Sequence, residues 1–220
     1  MSSSAADETP WIRPLPPQRR GRLRRSQIVQ AAAELIDAYG ANGPEVSVRA
    51  ICDRAQTSPA TMYHYFDDID EVVAAVVIEY MNGLVEAESV VFEATYASAS
   101  EYLEALVSCY RTYFAARPGL RRLWFDRNAS PLVTRIHEHY RQGLAGKLRS
   151  AMTRYTDSPG TDIDHRMVVA IAGSLLELAF SLDSRGDDDV IAGLQEACAG
   201  FWERRFHLKI DGGRQAGYDE

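Results

Sequence analysis

The stretch Ser58-Pro-Ala-Thr-Met-Tyr-His-Tyr-Phe66 decides the fold of this chain. A hydroxyl followed by proline is typical of a helix start, because the side chain caps a free N–H group and proline lacks one. Met62 and Phe66 lie one helical turn apart and can face a core, with Tyr65 beside them. The opposite face is left to solvent. Its predicted members are Pro59, Ala60, Thr61, Tyr63 and His64.

A second short helix is predicted just before this one. Ser47 can cap residues 48–54, and a turn at residues 55–57 leads to Ser58. Two short helices joined by a tight turn are typical of a helix-turn-helix, whose second helix enters the major groove of DNA. Small side chains at its start permit a close approach, and the hydroxyls of Thr61 and Tyr63 can bind base edges or phosphates.

Helical spacing of apolar residues continues along nearly the whole chain, and no segment alternates as a strand would. Asp68 and Glu71 form a capping pair for a fourth helix, and proline or glycine breaks separate the later ones. The predicted fold class is all-α with about nine helices. They are expected over residues 22–39, 48–54, 58–66, 68–95, 100–116, 119–127, 131–155, 162–184 and 187–208.

The chain is predicted to have four parts. Residues 1–18 hold four prolines and three consecutive serines, and are expected to be a disordered leader. Residues 19–67 form the helix-turn-helix domain, residues 68–208 form a helical domain, and residues 209–220 form a flexible tail.

Charge is distributed unevenly along the chain. The first 66 residues carry eight arginines against six acidic residues, a net charge of +2. Because the net charge of the whole chain is −7, residues 67–220 carry a net charge of −9. A local basic surface can hold phosphates on an acidic protein, because salt screens exposed charges beyond about 10 Å. Three scattered cysteines and no apolar signal segment or membrane span lead us to expect a cytoplasmic protein.

The residues of the first 80 positions follow a pattern in three blocks. The blocks are Arg24-(x)3-Ile28-(x)2-Ala31-Ala32-(x)2-Leu35, Ser47-Val48-Arg49-x-Ile51-(x)3-Ala55 and Ser58-(x)2-Thr61-x-Tyr63-x-Tyr65-Phe66. This pattern resembles the DNA-binding domain of the TetR family of repressors. The resemblance implies a homodimer that binds a palindromic operator in double-stranded DNA and that a small molecule releases. It also implies DNA contacts from the starts of both short helices.

Two departures from the family pattern affect the expected DNA surface. Gln56 stands where the family usually has glycine, so it is expected to adopt a left-handed backbone. Ile69 stands, among aspartates, where a phosphate-binding lysine is common. Five arginines within residues 19–25 can compensate, although a solvated helix start is the alternative. The predicted DNA contacts are Arg22, Arg24, Arg25, Ser47, Arg49, Ser58, Pro59, Ala60, Thr61, Tyr63 and His64.

The last two helices are predicted to pair with a second copy. Residues 163–182 are apolar nearly all round, and a helix apolar on every side must be covered on every side. Small residues Gly173 and Ser174 permit close crossing in a two-fold four-helix bundle. An ordinary core helix is the alternative. The predicted interface comprises Leu175, Leu178, Leu182, Leu194, Cys198, Phe201 and Trp202.

Aromatic residues are dense between the fourth and eighth helices. Core packing explains any one of them, whereas the family resemblance implies a pocket for a small, largely apolar effector. Glu177 lies among apolar neighbours, where it can bind a polar ligand group or pair with Arg111 or Arg166. The candidate pocket residues are Tyr110, Tyr113, Phe114, Trp124, Tyr140, Glu177 and Phe180.

An enzyme is not predicted. Gly143-(x)2-Gly146-Lys147 has the wrong spacing for a phosphate loop, and residues 137–139 lack the spacing of a metal site, so no cofactor or metal is expected. A helical homodimer that binds a small molecule or a protein partner without binding DNA is the alternative function. The acidic start of the fourth helix is the feature that leaves this alternative open.

Overall fold

The computed structural model describes residues 19–126 and 128–206. Within those ranges the chain forms nine α-helices and no strand, which confirms the predicted all-α fold. The helices are α1 (Arg19–Tyr39), α2 (Val48–Arg54), α3 (Pro59–Tyr65), α4 (Ile69–Glu93), α5 (Ala99–Ala115), α6 (Pro118–Trp124), α7 (Pro131–Met152), α8 (Asp162–Leu182) and α9 (Asp188–Phe206).

The predicted helix limits differ from the observed ones by up to three residues. The prediction starts α1 at residue 22 and ends α7 at residue 155, whereas α1 begins at Arg19 and α7 ends at Met152. After Met152 the N–H groups of residues 154 and 155 bond three residues back instead of four, which tightens the chain into a turn. The predicted leader and tail lie outside the described residues. The predicted boundary after residue 67 stays a prediction.

Among the described residues, the first compact unit joins residues 19–89 to residues 110–126 and 128–141. Its helix-turn-helix forms because α1, α2 and α3 bury their apolar faces against one another. Among the fully buried side chains are Ile28 and Ile36 of α1, Ile51 of α2, and Met62 at the centre of α3. Burial of side chains of this size contributes about 1.5–3 kcal/mol each.

Side-chain caps set the starts of both short helices. The Ser47 hydroxyl accepts the Ala50 N–H at 3.3 Å, and the Ser58 hydroxyl accepts the Thr61 N–H at 3.1 Å. Pro59 is the first helical residue of α3, where its missing N–H leaves nothing unsatisfied. These contacts confirm both predicted caps.

The turn before α3 and the start of α4 also follow the sequence prediction. Gln56 has a φ of +50°, the left-handed conformation that the family's glycine adopts without strain. Asp68 accepts the Glu71 N–H at 2.8 Å, and Glu71 accepts the Asp67 N–H at 2.7 Å. Asp68, just before α4, and Glu71, in its first turn, therefore cap the helix, which gives a structural reason for acids at these positions.

The second compact unit, as far as the chain is described, joins residues 90–109 to residues 142–206, and its core is aromatic. Tyr102 stacks on Trp202 with 6.2 Å between ring centroids, and on Tyr155 with 5.8 Å. Arg205 donates to Asp164 at 2.6 Å, and α8 packs along α9.

α8 is long and apolar enough to cross a membrane by length and composition, the one such helix among the described residues. Only 28% of its apolar window is buried. Core helices of soluble proteins can have the same length and composition.

Candidate DNA-binding surface and effector site

α3 presents one face to solvent and the other to the core. Met62 and the following Phe66 are fully buried, whereas Tyr63 is 50% exposed. Ser58, Pro59, Ala60 and His64 are exposed as well, and Thr61 is half-buried with its hydroxyl 2.9 Å from that of Ser58. The outward face is therefore small at its N-terminal end and carries a phenol and an imidazole further on.

The start of α2 adds one long cation to this surface. The side chain of Arg49 is 93% exposed and lies 3.8 Å from Asp53. Arg54, at the end of α2, pairs with Glu34 and thereby ties α2 to α1. Ser47 is half-buried and uses its hydroxyl as the helix cap.

The three predicted DNA-contact arginines of α1 differ in their surroundings. Arg22 is exposed and Arg24 is half-buried. The Arg25 guanidinium lies 4.7 Å from the centroid of the Phe66 ring, and burial lowers its pKa. Arg25 thus packs against Phe66, the buried residue at the end of α3, and so helps to hold α3 in position from its core side.

A buried polar cluster joins α4, α5 and α7 in the first unit. Glu88 is fully buried, and its Oε2 accepts the hydroxyls of Tyr110 and Tyr140, each at 2.6 Å. The two phenol oxygens are 2.5 Å apart. Burial, then the neighbouring Tyr140 and Glu88, raises the pKa of Tyr110, so its hydroxyl stays protonated and donates.

His137 and Trp124 lie against the same polar cluster. The two ring centroids are 4.5 Å apart, and the Tyr140 ring is 5.4 Å from Trp124. His137 is 4% exposed, and burial with the nearby Arg141 lowers its pKa to about 4. Its Nε2 has no hydrogen-bond partner among the described residues. We call Glu88, Tyr110, Tyr140, His137 and Trp124 the Glu88 cluster.

Most of the predicted pocket residues belong to this cluster or touch it. Phe114 lies 6.4 Å from Tyr110 and 5.8 Å from Trp124 between ring centroids. Glu177 and Phe180 belong to α8 in the second unit. The prediction missed Glu88, although Leu84 and Val91 are buried at helical spacing around it and mark it as an acid on an apolar face.

Tyr113, the remaining predicted pocket residue, packs in a notch of α4. Its hydroxyl donates to the Tyr80 carbonyl oxygen at 2.8 Å, and the Arg117 guanidinium lies 3.6 Å from its ring centroid. A Cβ atom on Gly83 would come within 2.4 Å of the Tyr113 hydroxyl. Glycine at position 83 is therefore what allows α5 to approach α4 here.

Asp37 connects α1 to α4 and α6. Its Oδ1 accepts the Tyr80 hydroxyl at 3.0 Å and the Gly119 N–H at 2.6 Å. Arg122 donates to the carbonyl oxygens of Ile36 and Asp37, at 3.3 Å and 3.2 Å. The last turn of α1 is therefore bonded directly to the helix that carries Trp124. We call these contacts the Asp37 junction.

A separate cleft of about 510 Å³ lies in the first unit between the α1–α2 loop, the start of α4 and the α6–α7 loop. Its lining includes Asp70 and Asp126 together with Ile69, Leu123 and Val133. None of the predicted pocket residues lines it.

The predicted interface residues fall into two groups. Leu194, Cys198 and Trp202 are buried within their own chain, where Trp202 stacks on Tyr102. Leu178 and Leu182 are exposed, by 46% and 63%, and Leu175 and Phe201 are half-buried. Only the second group offers side chains to a partner, because one face of α9 is already covered by the chain's own core.

These features define a class of protein: a helical regulator with a helix-turn-helix at its N-terminal end. The sequence model of bacterial regulatory proteins of the tetR family matches residues 28–76, and that of a tetracyclin repressor-like C-terminal domain matches residues 98–201. The two matches together span well over half of the chain. The chain belongs to the TetR family of transcriptional regulators, which are DNA-binding proteins and generally not enzymes.

Solved structures share the fold at low sequence identity. A TetR-family regulator from Streptomyces coelicolor superposes with a TM-score of 0.65 at 21% identity, over 83% of this chain and 99% of that one. FadR of Bacillus halodurans, a fatty acid degradation regulator, gives 0.62 at 20%, over 80% and 97%. FadR of Bacillus subtilis, solved with stearoyl-CoA, gives 0.60 at 16%, over 80% and 96%. Among curated proteins none matches the sequence significantly.

Proposed function

We propose that the chain is a homodimeric repressor that binds a palindromic operator in double-stranded DNA and that a small, largely apolar effector releases. The observation that carries this proposal is the exposed face of α3 on a fully packed helix-turn-helix. A recognition helix needs this division, because its outer side chains must reach base edges while its inner ones hold its position. We place its action in the cytoplasm, where the DNA is.

The DNA contacts follow from the chemistry of each exposed group. Pro59 and Ala60 let the helix approach the floor of the groove, and Tyr63 and His64 supply hydrogen-bonding groups further along it. Arg49 reaches a phosphate from the start of α2. Ser47, Ser58 and Thr61 orient their helices through the capping contacts, and their hydroxyls border the same surface.

The dimer is proposed from the uncovered face of α8. Its large exposed apolar side chains are Ile163, Met167, Leu178 and Leu182. Ala170 and Ser174 are exposed between them, so the face repeats every three or four residues over the whole helix. A second copy would cover this face by two-fold symmetry and hold two α3 helices about 34 Å apart, one turn of DNA.

Release by the effector is proposed to act through the Asp37 junction. A ligand held near Trp124 and Tyr110 would move α5 or α6, and both reach α1 through Tyr80, Asp37 and Gly119. An effector lowers DNA affinity only if it binds more tightly to the conformation that fits DNA less well.

DNA binding is tested by fluorescence anisotropy with duplex DNA from upstream of the protein's own gene. We expect the anisotropy to rise on binding, with an affinity that falls steeply as the salt concentration increases. Tyr63→Ala is expected to reduce this affinity at least several-fold. Tyr39→Ala is the matched control, since Tyr39 is 54% exposed but lies outside α3. A dimer that binds no DNA in such an assay, or in a selection from random duplexes, would instead support the alternative of a regulator without an operator.

A further inference from the structure

We propose that the cleft between the α1–α2 loop, the start of α4 and the α6–α7 loop is a second ligand site, which takes a small organic cation with an aliphatic body. None of the predicted pocket residues lines it, so it is distinct from the effector site of the proposed function. Its volume of about 510 Å³ is that of a small-molecule site, for which roughly 300–1,000 Å³ is usual. Binding there can be measured without DNA, so the proposal does not depend on the repressor function.

The apolar part of the cleft is aliphatic. Leu123, Val133 and Val46 line it and are buried. Ile69 and Val73, on the first turns of α4, line it and are half-buried. No aromatic side chain belongs to its described lining. A saturated hydrocarbon body would cover these side chains and remove apolar surface from water.

Hydrogen bonds join two of the three walls. Asn42 Nδ2 donates to Asp126 Oδ2 at 2.8 Å, which links the α1–α2 loop to the α6–α7 loop. The Asn128 N–H donates to Asp126 Oδ1, also at 2.8 Å, within the α6–α7 loop. Because these loops are already bonded to each other and within themselves, a ligand does not have to order them on binding.

The charge of the described lining is negative. Asp70 and Asp126 are its only charged residues among those described. Both oxygens of Asp126 accept hydrogen bonds, whereas the exposed carboxylate of Asp70 has no such partner in the described part of the chain. Arg122, on α6, directs its guanidinium to the carbonyl oxygens of Ile36 and Asp37. An ammonium group can therefore donate to Asp70, whereas a ligand carboxylate would be repelled.

The cleft borders the helix-turn-helix on both sides. Val46 directly precedes Ser47, the cap of α2, and Ile69 begins α4 four residues after α3 ends. The third wall is the loop that follows α6, the helix bonded to α1 through the Asp37 junction. A bound ligand would therefore contact the helix-turn-helix and the α6–α7 loop at once, and should slow backbone amide exchange in both.

The test compares three ligands that share one cyclohexyl body. Isothermal titration calorimetry on the purified full-length protein, without DNA, would measure 4-cyclohexylbutylamine (ammonium), 4-cyclohexylbutanol (alcohol) and 4-cyclohexylbutanoate (carboxylate). We expect the amine to bind about fivefold more tightly than the alcohol, and the carboxylate to bind most weakly. The preference for the amine should shrink as the salt concentration increases, because Asp70 is exposed.

Variants connect that preference to the cleft. Asp70→Asn keeps the shape and is expected to make the amine and the alcohol bind equally, while Asp70→Glu keeps part of the preference. Glu86→Gln is the matched control, an exposed acid on α4 outside the lining, and is expected to bind as the wild type does. Val73→Phe adds a ring at a lining position and is expected to weaken the binding of all three ligands.

Two further measurements keep the test independent of any one variant. Circular dichroism would show which variants are folded, and the preference of the wild type and its salt dependence stand if a variant is not. Hydrogen–deuterium exchange would locate the bound amine. We expect slower exchange at residues 41–46, 69–73 and 128–133, and no change in α8, which belongs to the second unit.

The outcomes separate this proposal from the proposed function. The site is overturned by equal binding of the amine and the alcohol, by tighter binding of the carboxylate, or by no binding of any of the three. A preference that Asp70→Asn leaves unchanged, or slower exchange confined to other helices, also overturns it, even if the protein binds its operator. Amine binding that depends on Asp70 supports the site, even if no DNA is bound; in that case the repressor proposal fails alone.

Discussion

The recognition helix and the Glu88 cluster arrange their polar groups in opposite ways. In α3 the polar side chains point to solvent and rest on the buried Met62 and Phe66, whereas in the cluster Glu88 and His137 point inward. The exposed polar side chains of α3 can form hydrogen bonds with water instead of with DNA, so their removal should change DNA binding and little else. Glu88 and His137 are shielded from water, so their removal should also change the stability of the folded protein.

The largest effect on stability should come from removing the buried side chain that supports the exposed face of α3. Phe66 is fully buried beneath α3, and Phe66→Ala is expected to destabilise the protein by about 3–5 kcal/mol, measured by urea denaturation. Tyr63→Ala, on the other face of the same helix, is expected to change stability by less than about 0.5 kcal/mol. Equal losses of stability in the two variants would contradict the assignment of one face of α3 to the core and the other to solvent.

The burial of His137 should make the stability of the folded protein depend on pH. Burial lowers the pKa of His137 to about 4 in the folded protein, below the ordinary 6.5, so the unfolded chain takes up this proton first as pH falls. The neutral ring's contribution, at most about 3 kcal/mol, is present above pH 6.5 and is lost between pH 6.5 and 4. We expect His137→Phe to flatten the decline of stability with falling pH in this window.

The matched measurement is the wild type over the same pH range. If His137→Phe gave the same pH profile of unfolding as the wild type, the inward placement of His137 would have no energetic consequence.

The third prediction concerns the Asp37 junction, which connects the two regions. A Cβ atom on Gly119 would lie 2.3 Å from Asp37 Oδ1, so Gly119→Ala is expected to cost about 1–3 kcal/mol. It should also reduce effector-driven release more than it reduces DNA affinity. Gly143→Ala is the control: nothing lies within 4 Å of its Cβ position, and alanine there should stabilise α7 by up to about 1 kcal/mol.

The smallest effect should come from the arginines at the start of α1. Arg19 and Arg20 are exposed, and replacing both with glutamine is expected to flatten the salt dependence of operator binding by about one to two units of log–log slope. Stability should not change. An unchanged slope would mean that these arginines make no phosphate contact.

The two regions also differ in what the sequence could predict. The position of α3 depends on contacts between close neighbours: the Ser58 cap, Pro59 at the helix start and the left-handed Gln56. Such contacts leave a pattern within a few residues. The Glu88 cluster joins residues 22 and 52 positions apart, and spacing within one helix cannot indicate which helices meet.

The predicted dimer residues illustrate a second limit. Apolar spacing on α8 and α9 shows that both helices are covered, but not by what. Leu194, Cys198 and Trp202 are covered by their own chain, while Leu178 and Leu182 are not. Only the folded structure distinguishes a core position from an interface position, because both need the same side chains.

Whether the outer face of α3 reads DNA is tested most directly by methylation interference on the operator. Methylation of guanine N7 blocks the major groove alone. The account predicts that methylation abolishes binding in two short segments, related by symmetry and centred about 10 base pairs, or a multiple of that, apart. Interference confined to one segment, or binding unaffected by N7 methylation, would contradict it.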